Sequence, residues 1–268
     1  MANGQGRWGV KAKAPVVVSG NDTDAQAFIA AAGITDTTQR NAINTLVTNL
    51  KTYGIWSKMK AIYPMVGGTA NTHKFNLKDP RDLDAAFRLS FIGGWLHTAT
   101  GAKPNGTTGY ADTFLVPNTH LTLNNTGISY YARTLKTSSN GAIMGAGGAT
   151  SNEISIFASY GGGTDYLANS SGEYTGPFLN SQRGLIQNTR ISSTSFKVYL
   201  NGVVKYDLTS TSTSLANNNI NIARCPTWPD LTDVECSFSA IDTGLTDTEA
   251  ANFYTAVQAF QTTLGRQV

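Results

Sequence analysis

Two acidic side chains at alternate positions are the first candidates for chemistry in this sequence. Asp233 and Glu235 flank Val234, and alternate residues of an extended strand point to the same face of a sheet. A sandwich-type glycosidase needs two carboxylates around the scissile bond, roughly 5 Å apart if it retains configuration. Alternating polar residues are also the ordinary pattern of a strand with one solvated face. We therefore expect no catalytic site, and a polysaccharide-degrading enzyme that uses Glu235 is the alternative.

Side chains that could hold a metal ion lack the spacing of known metal sites. Asp230, Asp233 and Asp242 could give oxygen ligands to calcium, which takes roughly six to eight of them, but no EF-hand spacing is present. The histidines are far apart in the sequence and are expected on loops or sheet surfaces: His73, His97 and His120. We predict neither a metal nor a cofactor.

The two cysteines, Cys225 and Cys236, are too few for a disulfide framework. They could meet across neighbouring strands, but synthesis in a reducing cytoplasm favours free thiols. The sequence also lacks a glycine-rich phosphate loop, a serine nucleophile elbow and an HExxH motif. Nothing in these patterns indicates an enzyme.

Aromatic side chains in loop-like stretches are the candidates for carbohydrate binding. Trp228 lies between Pro226 and Pro229, which stiffen the loop, and Tyr160 and Tyr166 flank a run of glycines. Sugars stack their apolar faces on such rings, while nearby amides bind their hydroxyl groups. We predict Trp228, Tyr160 and Tyr166 as glycan contacts; the alternative is that the rings close the ends of the fold or contact other subunits.

Residues 1–20 have the composition of an extended arm. The segment has no hydrophobic periodicity and carries local positive charge, and it contains a tryptophan, which is costly to leave exposed. It also lacks the apolar core of a secretory signal. We predict an anchor that becomes ordered against a partner subunit, through Arg7, Trp8, Lys11 and Lys13. The alternative is a disordered tail.

Composition excludes several classes of protein and favours β-structure. Only 14% of the residues are charged, against about 25% in an average domain. Thr, Ser, Asn and 27 glycines replace the missing charge, which favours many short strands and turns. The net charge of +3 is too small to indicate a nucleic-acid partner, and no apolar run is long enough to insert in a membrane.

Residues 21–77 are predicted to form a small helical module. Asp22 and Asp36 are helix-capping candidates, and Gly33 separates two helices. Apolar residues recur at helical spacing in the second helix, and a further turn is expected around Trp56 and Met59; the apolar stripe is Ile43, Leu46, Val47 and Leu50. The module is too small to bury this stripe alone, so we predict a homo-oligomer.

Residues 78–268 are predicted to form a β-sandwich that ends in a helix. Ile128, Tyr130 and Ala132 alternate with polar or aromatic residues, which indicates a half-buried strand. Similar strands are expected on both sides of a turn at Pro117 and in a run whose inward side chains are Val234, Cys236, Phe238 and Ala240. Asn201-Gly202 supplies the positive φ angles of a type I′ hairpin turn.

The predicted helix covers residues 246–264. Thr246 and Glu249 form a capping box at its start. An apolar stripe follows at helical spacing, and Gly265 is a suitable stop.

Three segments of the chain resemble the concanavalin A-like and LamG-like jelly-roll sandwiches. They are residues 105–113, the hairpin Phe196-Lys197-Val198-Tyr199-Leu200-Asn201-Gly202, and Ala240-Ile241-Asp242 followed by Gly244-Leu245-Thr246. The upstream stretch is similar to a module of tailed-bacteriophage virion proteins. It runs from Ala27-Phe28 through Ala31-Ala32-Gly33-Ile34-Thr35 to Gly67-Gly68-Thr69-Ala70-Asn71-Thr72-His73-Lys74-Phe75-Asn76-Leu77, followed by Asp79-Pro80-Arg81-Asp82.

This resemblance implies a mainly β fold and a non-enzymatic structural component of a bacteriophage particle. A tail or head appendage and a capsid decoration are equally compatible with it. The expected partners are other virion proteins, reached through the arm, and further copies of the chain, with a trimer suggested by the usual appendages of the family. The alternative is a lectin that binds host-surface glycan, since fold alone does not fix function.

Overall fold

Two antiparallel β-sheets, stacked face to face, form the body of the protein. The computed structural model describes residues 20–135, 141–147, 152–160, 164–171, 174–177, 183–228 and 231–268. The strands in these ranges are β1 Met59–Tyr63, β2 Ser90–Ile92, β3 Trp95–Thr98, β4 Gly101–Pro104, β5 Tyr110–Asp112, β6 Thr126–Ala132, β7 Ala142–Ala146, β8 Glu153–Tyr160, β9 Thr164–Ser171, β10 Tyr174–Pro177, β11 Gly184–Arg190, β12 Ser195–Leu200, β13 Val203–Thr209, β14 Asn221–Ile222 and β15 Cys236–Asp242.

The two sheets have different strand orders. In the first sheet the order is β13-β12-β11-β6-β15-β4-β3, and β1 also pairs with β15. In the second sheet it is β10-β9-β8-β7-β14-β5-β2. The core between the sheets includes Ile128, Tyr130, Ile154, Ile156, Leu167, Ile186, Val198 and Ile222. The predicted fold class, a β-sandwich with a C-terminal helix, is confirmed.

Three of the helices start at the polar caps that the sequence predicts. The helices are α1 Thr23–Ala31, α2 Thr37–Thr52, α3 Ala70–His73, α4 Pro117–His120 and α5 Asp247–Thr263, with 3₁₀ turns at Trp56–Lys58 and Asp84–Ala86. Asp22 caps α1 and Asp36 caps α2 through their side chains. Thr246 and Glu249 form the expected capping box of α5. None of the described helices is long and apolar enough to cross a membrane.

Helices α1, α2 and α5 cover the outer face of the first sheet. A second apolar cluster forms there, with side chains from the helices and from the strands: Phe28, Ile43, Leu46, Val47, Leu50, Phe253, Val257, Phe260, Tyr131, Leu185, Tyr199 and Phe238. The stripe of α2 is thus buried within the same chain, which removes the reason for which the sequence predicted a homo-oligomer. Strand β1, which precedes the expected boundary at residue 77, pairs with β15.

The helical cover also explains why β6 is not half-buried as expected. All seven of its residues are buried, and Tyr131, which should have faced solvent, is fully enclosed. Its hydroxyl donates to Gln258 Oε1 of α5 at 2.9 Å. The alternation of β6 therefore separates two apolar environments, one between the sheets and one beneath the helices.

Strand β15 departs from the expected single inward face. Cys236 belongs to the core between the sheets, whereas Phe238 and Ala240 belong to the cluster beneath the helices. The pairing with β6 shifts between Cys236 and Phe238, and one extra residue turns all later side chains to the other face. The expectation that Val234 to Ala240 face one way is wrong for this reason.

The region around Pro117 is also different from the prediction. Instead of two strands about a turn, residues 117–120 form α4, with Pro117 at the first helical position, where its missing N–H is not needed. The predicted hairpin is present: Asn201 and Gly202 have φ angles of 52° and 73° between β12 and β13.

A buried arginine ties the chain after α5 to the first sheet. Arg266 is 1% exposed, and it donates to the carbonyls of Met65 at 2.8 Å, Pro64 at 3.0 Å and Ser237 at 3.1 Å. Its Nε donates to Gln261 Oε1 at 2.8 Å. Burial lowers the pKa of this guanidinium to about 9, and the four acceptors keep it paired.

Candidate functional site

The side chain of Glu235 is largely buried, and neighbouring side chains form hydrogen bonds with its carboxylate. It is 6% exposed, and its carboxylate accepts from Thr100 Oγ1 at 2.6 Å and from Arg133 Nε at 3.0 Å. Strand β15 begins only at Cys236, so Asp233 and Glu235 do not form a strand-borne pair. Both oxygens of Glu235 are thus engaged in structural contacts.

Trp228 packs on the outer face of the second sheet. Its ring is half-buried and meets Phe157 edge-on, with ring centroids 6.3 Å apart. Its indole Nε1 donates to Glu153 Oε2 at 3.1 Å, and Glu153 is 1% exposed.

The loop that carries Trp228 is held to the sheet by Cys225. A side chain at position 145 would stand 3.2 Å from the Cβ of Cys225, so Gly145 allows this close approach. Burial, followed by the charge of Glu153, raises the pKa of the Cys225 thiol well above its usual value. This thiol therefore stays protonated and packs as an apolar group.

The second cysteine lies in a different environment. Cys236 is buried between the sheets, and burial raises the pKa of its thiol to about 12. Cys225 belongs to the separate outer cluster with Ala142 and Phe157. Both thiols are free.

Other predicted contact residues are only partly placed. Tyr160 and Tyr166 lie on the neighbouring strands β8 and β9, where they pair with Thr164 and Phe157, but their side chains lie outside the described part of the structure. The predicted anchoring residues also lie outside the described residues: Arg7, Trp8, Lys11 and Lys13. Asp230, a calcium candidate, lies outside them as well.

A cavity of about 280 Å³ opens at the other side of the molecule, beside the start of α5. Its polar wall is a network in which Asp247 accepts from Tyr199 Oη at 2.7 Å and from Lys197 Nζ at 2.9 Å. Burial opposes the charged form of Asp247, but these two hydrogen bonds outweigh it and keep the pKa of the carboxyl below its usual value. The network joins helix α5 to strand β12.

Carboxylates do not gather into a metal site in the described ranges. No group of three or more His, Cys, Asp or Glu side chains there could hold an ion. Asp242 is fully buried, and burial raises the pKa of its carboxyl to about 7, although the N–H of Gly244 and the charge of Lys58 act in the opposite direction.

The expectation that the histidines lie on loops or sheet surfaces is wrong for His73, which is buried at the end of α3, and for His120, which lies on α4. His97 is a half-buried residue of the sheet-edge strand β3. His73 is 1% exposed, and its Nδ1 lies 3.0 Å from Nδ1 of His97 on β3. His120 on α4 is half-buried and contacts the backbone of Val116 through Nδ1 at 3.0 Å. The sequence gives no sign of the His73–His97 pair, because the topology alone brings the two residues together.

Comparison with known proteins shows the fold and no closer relationship. No family model matches the sequence, and no curated protein matches it. Among solved structures, botulinum neurotoxin type C, from a study of its interaction with two ganglioside molecules, is 14% identical with a TM-score of 0.55. The binding domain of botulinum neurotoxin serotype D is 9% identical with a TM-score of 0.51.

A sialidase of Trypanosoma rangeli in complex with sialic acid is also similar, at 9% identity and a TM-score of 0.51. The matches cover 77%, 75% and 79% of this chain, but only 53%, 52% and 38% of the three chains compared. This chain therefore spans about half of each toxin chain and less of the sialidase. At such identities the likeness shows that the chain has a lectin-like β-sandwich fold.

Proposed function

We propose that the protein is a non-enzymatic component of a bacteriophage particle, whose sandwich faces outward and contacts glycan on the host surface. The particle assignment rests on the resemblance of residues 67–82 to virion modules. The contact assignment rests on one observation: Trp228 is only half-buried on the outer face of the second sheet, whereas helices cover the outer face of the first sheet.

Glycan binding is the part of the proposal that the comparisons support by analogy. Similar sandwiches are found in a toxin whose cell entry depends on gangliosides and in a sialidase with bound sialic acid. Sugar recognition uses aromatic rings, and the indole of Trp228, fixed by its hydrogen bond to Glu153, would lose little freedom on binding.

The engaged state of Glu235 supports the non-catalytic part of the proposal. Glu235 is engaged by Arg133 and Thr100, and general acid–base catalysis needs a carboxyl that can reach a substrate proton. Unchanged oligosaccharide pools after incubation with concentrated protein are the expected result; turnover that is lost in Glu235→Gln would overturn this part.

The glycan test uses the full chain on a glycan array. We expect Trp228→Ala to weaken binding at least about tenfold, which corresponds to about 1.4 kcal/mol. Trp56→Ala is the matched control, because Trp56 is also half-buried but lies beside the helices. There Lys78 Nζ lies over the Trp56 ring, 4.2 Å from the ring centroid. Equal loss in both variants, or no binding by the wild type, would contradict the proposal.

The particle test uses the predicted anchor. A full-length chain with Arg7→Ala, Trp8→Ala, Lys11→Ala and Lys13→Ala should fold, as judged by circular dichroism, but should be missing from purified particles. Normal incorporation would show that the arm does not anchor the protein. Light scattering of the wild type and this variant would measure whether the chain forms a homo-oligomer such as a trimer.

A further inference from the structure

His73 and His97 meet where the edges of the two sheets come together. His73 is the last residue of α3, and His97 lies on β3, the terminal strand of the first sheet. Their Nδ1 atoms are 3.0 Å apart, a hydrogen-bond distance. The His97 ring also meets Phe91 of β2, the terminal strand of the second sheet, at a centroid distance of 4.5 Å.

Two imidazole nitrogens at this distance can share one proton only. A neutral imidazole has one N–H donor and one bare acceptor nitrogen, whereas an imidazolium has two donors. In the neutral pair one Nδ1 donates to the other. If both rings become imidazolium, two N–H groups point at each other at 3.0 Å, and the contact has to open.

The surroundings indicate which ring donates. Nε2 of His73 is buried and has no hydrogen-bond partner among the residues that the structure describes. A buried N–H without an acceptor is rarer in proteins than an acceptor without a donor. We therefore assign the proton of His73 to Nδ1, which donates to Nδ1 of His97, so that His97 carries its own proton on Nε2.

The charged groups around the pair oppose a second proton. Arg266, from the segment after α5, acts on His73 and is itself fixed by the backbone. Lys74, the next residue in the chain, is instead engaged with Asp82 at 2.7 Å. Burial first, then His97 and Arg266, lower the pKa of His73 to about 3, and burial lowers the pKa of His97.

We propose that the His73–His97 pair is a proton-sensitive latch: it ties α3 to strand β3 while one proton is shared, and it releases this edge of the sandwich in acid. Both rings have pKa values below that of free histidine, which is about 6.5. Below this pH the unfolded chain therefore binds more protons than the folded chain. Acid therefore weakens the contact, and neutral pH preserves it.

A metal ion is the other occupant that two facing imidazoles could bind. Zinc sites in proteins use three or four protein ligands, and no third His, Cys, Asp or Glu joins this pair within the described ranges. The proton is thus the better occupant. An NMR titration with ZnCl₂ at pH 7.5 should leave both imidazole signals unchanged; saturable binding that shifts both would overturn the latch.

Hydrogen exchange of the full chain at pH 7.5 and 4.5, corrected for intrinsic rates, tests the release. We expect residues 70–74 and 95–98 to lose protection by about tenfold in acid, as in local opening, while α5 keeps its protection. The double variant His73→Phe, His97→Phe should not show this acid response. His120→Phe is the control, because His120 lies edge-on to Phe87 but makes no histidine pair.

Three results would overturn the proposal: the same acid response in the double variant, a uniform loss that includes α5, or no loss in the wild type. If the double variant does not fold, the double variant His73→Gln, His97→Gln serves instead, because two amide side chains can still form a hydrogen bond and neither of them titrates. Long-range ¹⁵N–¹H NMR at pH 7.5 tests the tautomer separately; a proton on Nε2 of His73 would overturn that assignment.

Discussion

The outer faces of the two sheets are built differently. Beneath α1, α2 and α5, the first sheet presents large apolar side chains that are almost wholly buried. The second sheet presents Glu153, Ser155 and Phe157 on the side opposite to Ile154 and Ile156, and the loop with Trp228 packs on it. One face thus stabilises the fold, while the other carries the half-buried ring of Trp228, which we propose as the ligand contact.

The largest expected effect is on the covered face. Phe238 is fully buried between Phe253 and Phe260, at centroid distances of 5.9 and 6.3 Å. Phe238→Ala should lower the free energy of unfolding by about 4 kcal/mol, because it removes apolar contacts and leaves a cavity. Urea unfolding followed by circular dichroism measures this loss, and a loss below about 1 kcal/mol would mean that the helical cover contributes little.

The second prediction concerns Asp242 and tests how much stability is lost when its buried carboxyl becomes charged. Its pKa of about 7 is higher than the pKa of the same carboxyl in the unfolded chain. The native state therefore binds more protons than the unfolded state between about pH 4 and 7, and the free energy of unfolding falls as the pH rises through this window. Asp242→Asn keeps an acceptor for Gly244 and should be more stable than the wild type by about 3 kcal/mol at pH 8, because a window of about three pH units sets an upper limit of about 4 kcal/mol. At pH 4 the two should unfold alike. An equal difference at both pH values would contradict the assignment.

Trp228→Ala should cost less than the change on the covered face. Its ring is half-buried, and its indole makes one hydrogen bond to Glu153, so we expect a loss of about 1–2 kcal/mol in the free energy of unfolding. Trp228→Phe, which retains the ring and removes the donor, separates the two contributions. If Trp228→Ala costs as much as Phe238→Ala, the two faces are not different in the way proposed.

The smallest effect is expected at the rim of the helical cover. Lys197 Nζ lies 2.9 Å from Asp247, but the side chain of Asp247 is 53% exposed. Lys197→Met should change the free energy of unfolding by at most about 0.5 kcal/mol, because exposed ion pairs are screened by water and salt. A thermal melt with and without 0.5 M NaCl checks this. A loss of stability as large as that of Phe238→Ala would mean that ion pairs, rather than apolar contacts, hold the helical cover on the sheet.

Local signals in the sequence predict much of the fold. The capping box of Thr246 and Glu249 and the Asn201-Gly202 turn act over a few residues, so neighbouring side chains determine them. The burial of Tyr131 and the turn of Phe238 to the opposite face depend on helices and strands more than a hundred residues away. Periodicity in one segment cannot report such distant partners.

The candidate site is predicted less well for the same reason. Trp228 could be singled out from its prolines, but its partner Glu153 is 75 residues away. His73 and His97 have no shared motif: one ends α3 and the other lies on β3, and only the folded structure brings them together. The glycan contacts and the anchoring residues stay predictions, since nothing in the described structure tests them.

Strand β15 has a consequence for how the protein folds. It lies between β6 on one side and β4 and β1 on the other, although it comes later in the chain than every other strand in the described ranges. Until residues 236–242 are synthesised, these earlier strands present unpaired edges. Such distant pairing slows folding and exposes the nascent chain to aggregation, so a high demand for chaperones during synthesis is built into this topology.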